Sequence, residues 1–144
     1  MKCKELMVGD WCHSGHGLPM QITNVGDDYA YATFEGNEGD PWEFDDKDCP
    51  PEPIEITDDL LKANGWGVCS YNFLSNLIRY YCVKDEGENH LMWERGILTI
   101  WSDCKKYNDG VYADIVITCK YVNQLQQVLR LAGMTDLANN FKIV

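Results

Sequence analysis

Apolar and polar positions alternate through much of the first 45 residues, the period-2 pattern of a half-buried strand. Residues 20–25 place Met20 and Ile22 between Gln21 and Thr23, and residues 29–34 alternate Tyr29, Tyr31 and Thr33 with Ala30, Ala32 and Phe34. Residues 6–13 read as a turn at Gly9 and Asp10 feeding a strand. Trp42, Glu43 and Phe44 make a short strand after the polar loop 35–41. Such short strands, separated by Gly- and Asp-containing turns, predict a small curled sheet or SH3-like barrel.

The pattern changes after residue 48. Pro50, Pro51 and Pro53 favour an extended connector, so residues 49–53 are expected to be a linker. Thr57 is suited to cap a short helix over 58–64, with Asp58 and Asp59 in its first turn and Gly65 beyond its end. Strands are expected over 78–83, 90–93, 97–101 and 111–118. Residues 85–89 and 105–110 form turns or loops, and residues 94–96 form a hairpin turn. Val122, Leu125, Val128, Leu129 and Ala132 then recur at helical spacing up to Gly133. Asn123, Gln124, Gln127 and Arg130 lie mostly off that stripe. Phe141 opens a possible last edge strand over 141–144. The reading is an α+β protein: a curled N-terminal β unit over 1–48, the linker, and an α+β unit over 54–144. In the second unit an antiparallel sheet is covered by the helix at 121–132.

Composition adds that the chain is globular, since 45% of its residues are hydrophobic and 12% aromatic. It also adds a strong charge asymmetry. The net charge is −11, and residues 27–55 hold 11 acidic side chains against Lys47 alone. Residues 57–144 are nearly balanced, with 10 acidic and 9 basic. Nucleic acid needs cationic phosphate contacts, which this field opposes. No apolar run reaches the length of a membrane span. The start lacks a signal-peptide pattern, and the seven cysteines are odd in number and widely spaced. Together these predict a cytoplasmic protein with free thiols.

Candidate chemistry is sparse. Cys12, His13 and His16 are the one Cys/His cluster, but a structural zinc site wants four ligands, and adjacent strand residues point to opposite faces. The acidic loop lacks the ligand order of an EF-hand. No imidazole sits in a nucleophile–base signature. No catalytic residue, metal or cofactor is therefore expected. The leading expectation is a non-enzymatic interaction or accessory protein that meets a basic protein partner through its acidic N-terminal face, with Trp42, Asp45, Asp46 and Asp48 as the binding residues. An enzyme with a cleft between the units and a metal-binding module are the alternatives.

Three segments, residues 5–11, 56–66 and 121–133, resemble a group of uncharacterised small proteins from gut Bacteroidales and their mobile elements. Relatives often carry two histidines four apart in the last segment, where this chain has Asn123 and Gln127, which are poor ligands. The resemblance implies the same architecture and no known activity.

Overall fold

The computed structural model describes residues 1–84, 89–102 and 113–143. The chain is α+β and divides into two compact units. The first comprises Met1–Glu55 with Tyr121–Ile143, and the second runs from Ile56 to Lys120. The second unit therefore interrupts the first in chain order. The chain leaves the first unit at Glu55 and re-enters it at Tyr121, and these two residues face each other in an antiparallel bridge.

In the first unit a 3₁₀ turn at Cys3–Glu5 precedes four strands: β1 (Trp11–His13), β2 (Pro19–Val25), β3 (Tyr29–Thr33) and β4 (Trp42–Asp45). They form one curled antiparallel meander in the order β1-β2-β3-β4. The alternation is realised as expected. Cys12, Met20, Ile22, Ala30, Ala32 and Phe44 make the buried face, together with Cys3 and Leu6. A bulge between Ile22 and Asn24 shifts the β2–β3 register, and the Thr23 hydroxyl donates to the Tyr31 carbonyl. Such a bulge adds local bend and twist to a strand pair.

The prolines do not form a linker between units. Glu52 exchanges two backbone hydrogen bonds with His13, and Cys49 bridges Asp45. Pro51 is buried. The segment behaves as a short stretch of edge strand of the first unit, and the crossover lies past it, between Glu55 and Ile56.

The helix expected on the second sheet is also a member of the first unit. This helix, α2 (Val122–Leu131), packs on β1 and on a further short helix, α3 (Thr135–Asn139). Its apolar stripe buries Val122, Leu125 and Leu129, and Val128 is only half-buried. Asn123 and Gln126 are buried too, contrary to the polar-outside reading. Gln126 shows why this is tolerated. Its side chain accepts from the Trp11 amide at 2.9 Å and donates to the Gly9 and Ala138 carbonyls at 3.0 Å each, so its hydrogen-bonding groups are satisfied. The edge strand expected from Phe141 is not formed over 141–143. Phe141 is buried, and its carbonyl takes the Trp11 indole N–H.

Among the described residues the second unit holds α1 (Asp58–Ala63) and five strands: β5 (Gly67–Phe73), β6 (Asn76–Lys84), β7 (Asn89–Glu94), β8 (Ile97–Ser102) and β9 (Ala113–Thr118). They form a second antiparallel meander in chain order. The Thr57 hydroxyl accepts from the Leu60 amide and caps α1, as its position predicts. Leu60, Leu61, Trp66, Tyr81, Leu91, Leu98 and Ile100 are buried. The β7–β8 hairpin turns on Arg95 and Gly96, both at positive φ, the requirement of a two-residue primed turn. Strand β5 was not expected from the sequence. Of the turn expected over 85–89, residues 85–88 lie outside the described residues and Asn89 begins β7; the loop at 105–110 and Cys104 also lie outside them.

Candidate functional site

The expected binding residues fall into two groups. Asp45 and Asp46 are half-buried and already engaged in the fold. The Asp45 carboxylate accepts from the Lys47 and Asp48 amides, closing the turn after β4. Asp46 accepts from the Cys3 amide at 2.7 Å. That backbone bond holds the Asp46 carboxyl below its usual range, and Lys2 and Lys4 assist. Because the folded-state value is depressed, the contribution of Asp46 is fully present above about pH 4 and is lost as the pH falls below it. Asp46→Asn should therefore flatten the acid limb of the stability curve in urea titrations. Superimposable acid limbs for the two proteins would show that the bond contributes nothing.

Trp42 and Asp48 behave differently. Trp42 is half-buried, packs against the core of the first unit and meets Phe44 edge-on at 6.4 Å between ring centroids. It and Asp48 also line a pocket of about 240 Å³ with Gly15, His16, Cys49, Pro50 and Glu52. Strand β4 brings Trp42 to this place. The bridges made by Cys49 and Glu52 hold the proline segment along its other side. Asp48 and Glu52 are exposed. The pocket is smaller than the roughly 300–1,000 Å³ usual for a small-molecule site. It is of a size for one side chain of a partner. Glu52 and His16 were not foreseen as neighbours of Trp42, because the bridge to β1 that places Glu52 is a non-local pairing.

Other carboxylates of the first unit are also exposed. Asp27, Asp28, Glu35, Glu38, Asp40 and Glu43 are exposed in addition to Asp48 and Glu52. On the outward face of β3 and β4, Tyr31 pairs with Glu43 and Tyr29 with Asp45. Tyr29 and Tyr31 pack edge-on at 5.7 Å, and Tyr29 is 42% exposed.

The remaining candidates are dispersed. Cys12 is buried, His13 half-buried and His16 exposed. Among the described residues, no three His, Cys, Asp or Glu side chains are grouped so as to hold a metal. Burial pushes the Cys12 and Cys119 thiols up to about 12, and burial with Asp46 beside it does the same for Cys3, so these three stay protonated. Among the described residues no helix is long and apolar enough to cross a membrane.

A second polar cluster is built around a fully buried carboxylate. Asp10 is 0% exposed, and its carboxylate pairs with Arg130 at 2.5 Å and accepts from the Met7 amide and the Gln127 side chain. Gln127 also donates to the Glu5 carbonyl, and Arg130 donates to Asn139. Gly9 is required beside it. Its φ is +93°, and a Cβ there would lie 2.9 Å from the Arg130 guanidinium. The cluster ties α2 to the turn before β1. Asn123 and Gln127 are both used inside the unit, Asn123 against the Met1 sulfur and Gln127 on Asp10.

No family model, curated protein or solved structure matches this chain.

Proposed function

We propose that the first unit is a non-catalytic recognition module for a basic protein segment in the cytoplasm. A lysine or arginine side chain of that segment enters the pocket beside Trp42. The observation that carries this reading is the meeting of an indole with Asp48 and Glu52 in one side-chain-sized pocket. A cation over an aromatic ring gains about 0.5–1 kcal/mol at exposed sites, and more as water is excluded. The surrounding carboxylates add long-range attraction that raises the encounter rate. The same field repels nucleic acid.

Catalysis is less well supported by the same pocket. His16 and Cys49 both line it, but no hydrogen bond joins them, and a thiol nucleophile needs its base within hydrogen-bond reach.

The reading is tested with short Lys- and Arg-rich peptides against Glu-rich controls, by stopped-flow and calorimetry. The basic peptides should bind with an on-rate that falls as salt rises. The double variant Asp48→Asn/Glu52→Gln should weaken binding several-fold, while stability stays within the usual surface range of about half a kcal/mol. Asp45 and Asp46 are left intact because the fold uses them. Binding that ignores both salt and the double variant, or a preference for DNA, would refute the proposal.

A further inference from the structure

The two-stranded hairpin at the edge of the second sheet brings together two cysteines 13 residues apart in the sequence. In its register Cys69 stands opposite Tyr80, and Cys82 opposite Gly67. Directly opposed residues of an antiparallel pair share a face, as do residues two apart on one strand. Cys69 and Cys82 are therefore diagonal neighbours on the same face, and their sulfurs lie 3.3 Å apart. Gly67 contributes to this closeness. It presents no side chain opposite Cys82, and a Cβ there would meet the Cys82 sulfur at 3.8 Å.

Two features set this pair apart from the enclosed thiols. Both cysteines are half-buried, as Cys49 is, whereas Cys3, Cys12 and Cys119 are enclosed. They also sit in a polar, aromatic setting rather than in a core. Tyr80 stands directly opposite Cys69, it packs against Tyr71 at 6.0 Å, and the Tyr71 hydroxyl donates to Glu94 at 2.6 Å. A cysteine serving only as a small hydrophobe is expected among apolar side chains. Among the described residues strand β5 is hydrogen-bonded to β6 alone, at the edge of its sheet. The sulfurs must approach by about 1.3 Å to reach the roughly 2.05 Å of a disulfide bond, with the backbone adjusting to the diagonal placement.

We propose that Cys69 and Cys82 form a redox-active dithiol whose oxidant is a low-molecular-weight disulfide. One protein thiol loses its proton and attacks a sulfur of that disulfide. This forms a mixed disulfide and releases one small thiol. The second protein thiol, also deprotonated, displaces the other small thiol and closes the Cys69–Cys82 bond. The protein loses two protons and two electrons, which the oxidant takes up as it leaves as two thiols. Closure covalently fastens edge strand β5 to β6.

The test uses the full chain, equilibrated in buffers of graded reduced and oxidised glutathione, then acid-quenched and alkylated. Intact mass and a non-reducing peptide map are the readouts. The expected result is loss of two alkylatable thiols and of two hydrogens in mass. The map should join the segment holding Cys69 to the one holding Cys82, and dithiothreitol should reverse the change. Cys82→Ser should instead stop at a glutathione adduct on Cys69, a readout that loss of packing alone would not produce. Full alkylation of both thiols at every ratio would overturn the proposal. So would unresolved adducts on both cysteines of the unaltered chain, or a cross-link to a different cysteine.

Discussion

Replacing Arg130 with methionine should destabilise the first unit by about 3–5 kcal/mol, the range for removing one partner of a buried ion pair. The reason is what remains behind. Asp10 is wholly enclosed, and the Arg130 side chain is only 12% exposed. Without the guanidinium, the carboxylate keeps the Met7 amide and Gln127 but loses its compensating charge. The penalty is a large share of the roughly 5–15 kcal/mol that holds a typical domain together. The pair need not itself be strongly stabilising, because desolvation offsets much of the attraction. A double-mutant cycle separates the two statements. Asp10→Asn combined with Arg130→Met removes both charges, and its cost should fall well short of the sum of the two single changes. Urea unfolding followed by circular dichroism measures all four proteins. A change below about half a kcal/mol for Arg130→Met would mean that water reaches the pair and that it behaves as a surface bridge.

Leu125→Ala should cost about 2–5 kcal/mol by the same measurement, the range for emptying a well-packed aliphatic site. Leu125 is 0% exposed on the buried stripe of α2. Leu131, on the same helix, is 84% exposed, and Leu131→Ala should stay within about half a kcal/mol. The contrast isolates burial, since residue type, substitution and helix are shared. Equal costs at the two positions would show that the wrong face of α2 had been placed inward.

Proline content misled the sequence reading about the boundary. Three prolines in four residues do disfavour helix and central strand. They do not prevent the intervening Glu52 from offering its amide and carbonyl to His13. An edge needs hydrogen bonds on one side only, which a segment rich in proline can still supply at its non-proline positions. The β5–β6 hairpin was obscured for a different reason. Its turn falls on Leu74 and Ser75, with φ of 47° and 67°, rather than on an Asn-Gly type signal. Most of β5 is exposed on both faces, so no alternation marks it.

Trp42 and Asp48 were legible as candidates because an aromatic among carboxylates is conspicuous in a sequence. Their shared pocket was not, because it depends on the return of the chain through Cys49 and Glu52. Asp45 and Asp46 look identical to Asp48 in composition, yet the fold has already used them as backbone acceptors. That distinction rests on geometry that charge counting does not contain.

By itself the sequence determined the local elements of this protein. Alternation specified β2 to β4 and their buried faces, Thr57 specified the start of α1, Arg95 and Gly96 specified the β7–β8 turn, and apolar spacing specified α2. Each of these depends on interactions within a few residues, which a linear pattern records. Only the tertiary structure decided which sheet α2 belongs to, that Asn123, Gln126 and Asp10 lie inside, and that Cys69 meets Cys82. A hydrophobic stripe states that a face is buried and is silent on what buries it. A polar residue reads as exposed until a partner elsewhere in the chain, such as Arg130 for Asp10, satisfies it.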